Sequence, residues 1–291
     1  MDKLIDGKMV AAKLREAVAE EVAGLPGNQP KPGLAVILVG DDPASHVYVR
    51  NKGLACEKAG IRSEIIRHPA DISEAALLAE VERINRDPDF HGLLVQLPLP
   101  GHIDEQKVIE AVNPLKDVDC FHPYNVGRLM IGMQVFEPAT PAGMVQLLKH
   151  YEIPTKGRHL VMVGRSNIVG KPMANLMLQK APYGNAIVTV AHSAAPDLAA
   201  ITRQADILVA AIGRPHFIGP DMVKEGAVVL DVGTNRIDAD NAKGYRLVGD
   251  VDFEAVLPKV SHITPVPGGV GPMTIAMLLR NTMTAYRLQV G

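Results

Sequence analysis

His159-Leu-Val-Met-Val163-Gly164-Arg165-Ser166-Asn167-Ile168-Val169-Gly170-Lys171-Pro172 is the stretch that decides the fold. An apolar run of strand length breaks into glycines and small polar residues, and helical spacing of apolar residues follows over 169–180. A strand, a tight loop and a helix in that order form the element of a dinucleotide-binding fold. There the backbone approaches a pyrophosphate and a helix N-terminus faces the anion. The loop is not a GxGxxG, because Arg165 and Ser166 stand in its middle, so an ordinary turn of an α/β domain is the competing reading.

Outward from this segment the chain alternates between the two periodicities. C-terminal to it, strands are expected at 186–190, 207–212 and 227–231, with helices at 196–203 and 272–288. N-terminal to it, strands are expected at 34–39, 61–67 and 92–97, separated by helices at 45–59 and 73–85 and flanked by helices at 9–22 and 104–112. Strands that are apolar throughout and separated by helices imply parallel sheets covered on both faces. Between the two arrays, 113–141 carries Asn113-Pro114, His122-Pro123 and Pro138 with little periodicity, and reads as the boundary. The expected architecture is α/β: two α/β domains with a cleft between them, the second a Rossmann-type dinucleotide-binding domain. The last helix is expected to return to the first domain, which gives 1–139 with 271–291, and 140–270 for the second.

Composition narrows the partners. The chain has 291 residues, a formal net charge of -2, 47% hydrophobic and 21% charged residues, and no Trp. Neither nucleic acid nor an anionic membrane is implied, and no apolar run approaches membrane-spanning length. The N-terminal stretch, with acids throughout, is neither a secretory signal nor an acid-poor transit peptide, so a cytoplasmic protein is expected. Cys56 and Cys120 form no CxxC pair and read as reduced thiols. The scattered histidines give no metal site.

The second array supplies the residues for a cofactor: Gly164, Arg165, Ser166, Ile168 and Val169 in the quoted loop, then His192 and Ser193, Gly213, and Gly233 with Thr234. A dinucleotide fold that prefers NAD places an acid after its second strand, about 20 residues on. Here that strand ends Val190-Ala191-His192-Ser193. Arg165, His192 and Ser193 suit a 2′-phosphate by charge and hydroxyl contacts, which favours NADP; a plain polar loop is the alternative.

The first array supplies side chains. Ser45, Tyr48 and Lys52 lie on one expected helix, with Tyr48 and Lys52 four apart on a shared face. Tyr-x-x-x-Lys is also found in short-chain dehydrogenases, but in that family the glycine loop comes first, and here it follows. A solvated surface lysine is the plain reading of Lys52, and Ser45 could equally cap its helix. Gln96 interrupts the apolar Gly92-Leu-Leu-Val-Gln-Leu97, where it is either a site residue or a satisfied core amide. Lys116-Asp-Val-Asp119 and Pro267-Gly-Gly269-Val-Gly-Pro-Met-Thr274 complete the set.

Taken together, GLLVQLPLP with the preceding EVERINRDPDFH, PGGVGPMT, Tyr48-x-x-x-Lys52, KDVDCFHPYNVGRL and VGRSNIVGKPM closely resemble the bifunctional methylenetetrahydrofolate dehydrogenase/methenyltetrahydrofolate cyclohydrolase family over essentially the whole chain. The length leaves no room for the formyltetrahydrofolate synthetase domain that some members carry. The resemblance implies oxidation of methylenetetrahydrofolate with NADP, and then hydrolysis of the methenyl cation to 10-formyltetrahydrofolate. It implies Lys52 as proton handler, Gln96 as its hydrogen-bonding partner, Tyr48 against the folate rings and Asp119 at the amino-pyrimidine edge. Ser45, Pro267 and Gly269 become substrate-site residues, and a homodimer through the nucleotide domain is expected. The alternatives are an NAD-dependent dehydrogenase without hydrolase activity and a non-catalytic nucleotide-binding module.

Overall fold

The computed structural model describes residues 3–241 and 244–291. Its elements are α1 (Gly7–Ala23), β1 (Gly33–Val39), α2 (Pro43–Lys58), β2 (Arg62–His68), α3 (Glu74–Arg86), β3 (Gly92–Val95), α4 (Glu105–Ala111), α5 (Pro123–Met130) and α6 (Ala139–His150). They continue with β4 (His159–Val163), α7 (Gly170–Leu178), β5 (Ile187–Ala191), α8 (Leu198–Thr202), β6 (Ile207–Ala210), β7 (Val228–Asp231), β8 (Asn235–Asp238), β9 (Tyr245–Val248), α9 (Phe253–Val256), β10 (His262–Ile263) and α10 (Val270–Val290). Among the described residues no helix is long and apolar enough to cross a membrane.

The chain divides into two compact units: Ala12–Ala139 with Ile275–Gly291, and Met1–Ala11 with Thr140–Thr274. The expected division put 1–11 with the first domain, whereas the described residues of that stretch, 3–11, go with the second. The cause is backbone pairing: Ile5 N–H donates to the Ile263 carbonyl at 2.9 Å, and Ile263 N–H donates to that of Lys3 at 2.8 Å. That pairing lengthens the edge of the second sheet at β10.

The first unit is built on a parallel sheet in the order β2-β1-β3. Every residue of β1 and β3 is buried, as unbroken apolar runs predict. Apolar residues of β1 and β3 pack on one face with α3 and α4, around Leu77, Val81, Ile84 and Val108. On the other face Leu34, Val36 and Leu38 pack with Val49 and Cys56 of α2 and with Leu278, Leu279 and Met283 of α10.

The second unit holds a five-stranded sheet in the order β10-β7-β6-β4-β5, with every described pairing parallel. Counted from its own first strand this is the 2-1-3-4-5 order of a doubly wound fold, so the direction of winding reverses between β4 and β6. Ligands of such sheets bind beyond the carboxyl ends of the strands at that reversal.

Three expectations need correction. β2 and β5 are not apolar throughout, because they are edge strands, and Arg62, Glu64, Arg67 and Ile187 face outward. The stretch 113–141 is not a structureless boundary: it holds α5 and the start of α6. Pro123 occupies the first turn of α5, capped by His122, and a proline there starts a helix rather than breaking one. The antiparallel hairpin β8–β9 went unread, since its alternation is short and polar.

Candidate functional site

Lys52 is fixed by three elements of the first unit. α2 begins after Asp42, whose carboxylate accepts from the Ser45 N–H at 2.7 Å, with Pro43 in its first turn. The cap is therefore Asp42, and Ser45 lies buried in the turn behind it. Two turns on, Lys52 is only 8% exposed, against the plain reading of a solvated surface lysine, while Tyr48 on the same helix is 40% exposed. β3 stops at Val95, and the Gln96 N–H still donates to the Ile37 carbonyl at 2.9 Å, which holds Gln96 just past the strand end beside β1. Its Nε2 donates to the Leu97 carbonyl at 2.7 Å, and so its Oε1 points away and accepts from Lys52 Nζ at 3.0 Å. The Leu97–Pro98 peptide that follows is cis.

Asp119 arrives from a bridge beside β3, in which Leu93 pairs with Asp117 in parallel. It is half-buried and close enough for its charge to act on the Lys52 amine. Burial pushes its carboxyl up to about 6, partly opposed by Lys52. Burial lowers the pKa of Lys52, with Asp119 and Cys56 working against the shift. The Cys56 thiol, one helical turn beyond Lys52, is pushed up to about 11 and stays protonated.

The loop carrying Asp119 has its own supports, which the sequence reading missed. The Asp117 carboxylate accepts from the Phe121 and His122 N–H groups at 3.1 and 2.9 Å and from Asn125 Nδ2 at 2.8 Å. Asn281 of α10 donates to the carbonyls of Val118 and Glu137 at 2.7 and 2.8 Å. Lys116, the other buried lysine here, donates to the carbonyls of Ile84 and Asp87 at the end of α3 and is structural. No spacing rule separates Asp117 from Asp119, or Lys116 from Lys52; burial and partners do.

In the second unit, register gathers the cofactor candidates. The last residues of β5, β4, β6 and β7 are Ala191, Val163, Ala210 and Asp231, which are mutual partners across the sheet. The loops that leave them therefore start side by side: His192 and Ser193, Gly164 to Val169, Gly213, and Gly233 with Thr234. Gly164, at φ +121, has no room for a side chain, since a Cβ would lie 2.2 Å from the Ala211 carbonyl oxygen. Gly170 packs against Gly164 in the same way, at 2.4 Å from its oxygen. The Ser166 hydroxyl accepts from the N–H groups of Val169 and Gly170 at 3.1 and 3.3 Å and so braces the turn that enters α7. Arg165, Ser166, Ile168 and Ser193 are exposed, and His192 is half-buried. No acid stands at the end of β5, since Asp197 further on caps α8, and this donor set fits a phosphorylated ribose better than a free 2′-hydroxyl.

Beneath two of these loops lie two buried aspartates that the sequence reading left out. Asp250 accepts from the N–H groups of Ile212, Gly213 and Arg214 at 2.6, 3.0 and 2.9 Å, and from Asn235 Nδ2 at 2.9 Å. Asp231 accepts from the N–H groups of Gly233, Asp250 and Val251 at 2.9, 3.0 and 2.9 Å. Burial and the neighbouring Asp250 push Asp231 up to about 7 against those hydrogen bonds. The bare face of Gly233 meets the Asp250 carboxyl, since a Cβ would lie 2.4 Å from its Cγ, so this glycine makes room for Asp250. Gly269 is likewise enclosed by Thr264 and Pro265, while Pro267, after a cis peptide, is exposed.

Comparison with known proteins gives one answer from three directions. Residues 5–119 match the family model described as tetrahydrofolate dehydrogenase/cyclohydrolase, catalytic domain, and residues 138–290 match its NAD(P)-binding domain. The chain is 57% identical over 287 residues to the bifunctional protein FolD of Chloroherpeton thalassium, covering 97% of this chain and 98% of that one. It is also similar to the crystal structure of the bifunctional FolD enzyme of Campylobacter jejuni, with TM-score 0.92 and 48% identity over 98% of this chain and 99% of that one. The Trypanosoma brucei FolD structure, complexed with NADP cofactor and inhibitor, matches with TM-score 0.93 and 40% identity over 99% and 98% of the two chains.

Proposed function

From its membership of the tetrahydrofolate dehydrogenase/cyclohydrolase family, which the chain belongs to along nearly its whole length, we infer a bifunctional folate enzyme. It oxidises 5,10-methylenetetrahydrofolate with NADP and hydrolyses the resulting 5,10-methenyl cation to 10-formyltetrahydrofolate. The observation that carries this reading is the buried Lys52 amine held at 3.0 Å by Gln96 Oε1, with Asp119 beside it.

When bound, NADP supplies the hydride acceptor. The folate's own nitrogen lone pair expels the hydride, so the protein's task in that half is to position and to exclude water. Tyr48 stacks on the folate rings, and the Asp119 carboxylate accepts the N–H donors of the amino-pyrimidine edge. Ser45, Pro267 and Gly269 complete the folate side. Gly164, Arg165, Ser166, Ile168, Val169, His192, Ser193, Gly213, Gly233 and Thr234 hold NADP, with Arg165, His192 and Ser193 at the 2′-phosphate.

Hydrolysis needs proton transfer. Neutral Lys52 accepts a proton from water as its oxygen bonds to the methenyl carbon. It returns a proton to the ring nitrogen as the carbon–nitrogen bond breaks, and one proton is released overall. Burial makes the neutral amine accessible nearer to working pH, and Gln96 keeps its lone pair aimed by holding one N–H. The functional division is 1–139 with 271–291 for folate and 140–270 for the cofactor, in a cytoplasmic homodimer. The buried free thiols Cys56 and Cys120 fit a reducing compartment. The product is a one-carbon donor of the kind purine biosynthesis consumes.

The test is a coupled assay on purified protein with methylenetetrahydrofolate and either NADP or NAD. Reduction with NADP and no lasting methenyl species is the expected result. Accumulating methenyl would leave a dehydrogenase alone. No reduction with either cofactor would leave a binding module.

A further inference from the structure

The cofactor loops of the second unit carry few side chains that could act by themselves, so their shape has to come from what lies beneath. Asp250 is fully buried and meets four donors: Oδ2 takes the N–H groups of Ile212 and Gly213, and Oδ1 takes those of Arg214 and Asn235. Three of the donors are successive backbone amides in the loop after β6, and the fourth belongs to the residue that follows Gly233 and Thr234 after β7. A single carboxylate thus ties together the loops after the neighbouring strands β6 and β7, and β6 is one of the two strands that flank the reversal of the sheet. Asp231 holds it from behind, accepting the Asp250 N–H at 3.0 Å, while Thr264 Oγ1 takes the Asp231 N–H at 2.8 Å.

The glycines on either side are shaped for this arrangement. A Cβ at Gly233 would strike the Asp250 carboxyl at 2.4 Å, and one at Gly249 would lie 1.8 Å from Asp231 Oδ2. We propose that Asp250, seated on Asp231, is a positioning residue for the nicotinamide cofactor, setting the loops at 212–214 and 233–235 in their binding shape. The inference rests on the dinucleotide reading of this unit.

The chemistry dictates the variant. All four partners donate, so the site demands two acceptor oxygens. Asp250→Asn keeps the shape but turns one oxygen into a donor facing two N–H groups. The hydrolase half, assayed with methenyltetrahydrofolate supplied directly, needs no NADP and reports on folding and on the folate unit. In Asp250→Asn the KM for NADP is expected to rise about tenfold to a hundredfold, the loss of hydrogen bonds to a charged acceptor. Hydrolysis should stay within about twofold of wild type, since it consumes no NADP and Asp250 shares no hydrogen-bond partner with Lys52 or Gln96.

Asn235→Ala removes one donor without burying an unpaired charge. It should raise the KM for NADP about threefold to tenfold with kcat preserved, which keeps the proposal testable where Asp250→Asn folds poorly. An unchanged KM for NADP in both variants, or parallel loss of both activities, would overturn the proposal. NADP titration by calorimetry separates this result from failure of the parent reading: wild type that does not bind NADP removes the cofactor site itself, whereas wild type that binds while Asp250→Asn binds equally well removes only the positioning role.

Discussion

The two units use one sheet rule for opposite purposes. In both, a parallel sheet reverses its winding beside the unit's first strand, β1 in one and β4 in the other, and the candidate residues collect at the carboxyl ends there. In the first unit the chemistry belongs to side chains: the Lys52 amine, the Gln96 amide and the Asp119 carboxyl. In the second the candidate side chains Arg165, His192 and Ser193 sit on glycine loops, two of which take their shape from buried carboxylates beneath them. A site that moves protons needs groups that titrate. A site that holds phosphates and a ribose needs a fixed array of donors.

The largest effect should come from removing the titrating group. Lys52→Ala should lower the hydrolysis rate by about a hundredfold to ten-thousandfold, the range for a lost general acid–base group, with a smaller loss in NADP reduction. Stopped-flow decay of the methenyl absorbance measures it, and full hydrolase activity would end the comparison as drawn here. Next comes the backbone side. Gly164→Ala forces a Cβ against Ala211 O at φ +121 and should cost about 2–4 kcal/mol in the second unit by overpacking and backbone strain. Thermal melting with and without NADP would show it, and an unshifted melt would mean that the loop tolerates a side chain after all.

Asp119 sharpens the electrostatic side. Only its ionised form accepts the N–H donors of the substrate, and burial has pushed its pKa to about 6. As pH falls through that value the carboxylate is lost, so kcat/KM for the folate should decline on the acid side of about 6. Asp119→Asn should lower kcat/KM about tenfold and erase that limb, as for a lost charged hydrogen bond; a limb that survives belongs to another group. The smallest effect is expected at Ser166→Ala, which removes the hydroxyl that accepts the Val169 and Gly170 N–H groups at the entry to α7 and should cost about 1 kcal/mol by chemical denaturation, with the affinity for NADP following modestly.

Much of this was open to a reader of the sequence. Leu34 to Val39 and Leu160 to Val163 are apolar without interruption because they belong to central strands, and each is buried throughout. Gln96 could be singled out as a polar amide in an apolar strand, whereas Lys52 and Asp119 were singled out by the resemblance of their motifs to a known family. α5 was missed because Pro123 signals both a helix start and a chain break, and only the His122 cap decides between them. Asp231 and Asp250 were missed because a carboxylate at or just past a strand end looks the same in sequence whether it faces solvent or, as at Asp250, three backbone amides and an asparagine side chain.

The order of polar and apolar residues along the chain determined which segments are strands, which are helices and where glycine loops interrupt them, since those periodicities are local properties of the backbone. What only the tertiary structure decided is which polar groups lose water and to whom they then bond. That choice buried Lys52 against Gln96 and left Lys116 to close a helix. It seated Asp250 beneath two loops whose residues lie 15 to 38 positions away from it in sequence. Desolvation and hydrogen bonding act through space, and the distances that govern them do not exist until the sheets have formed.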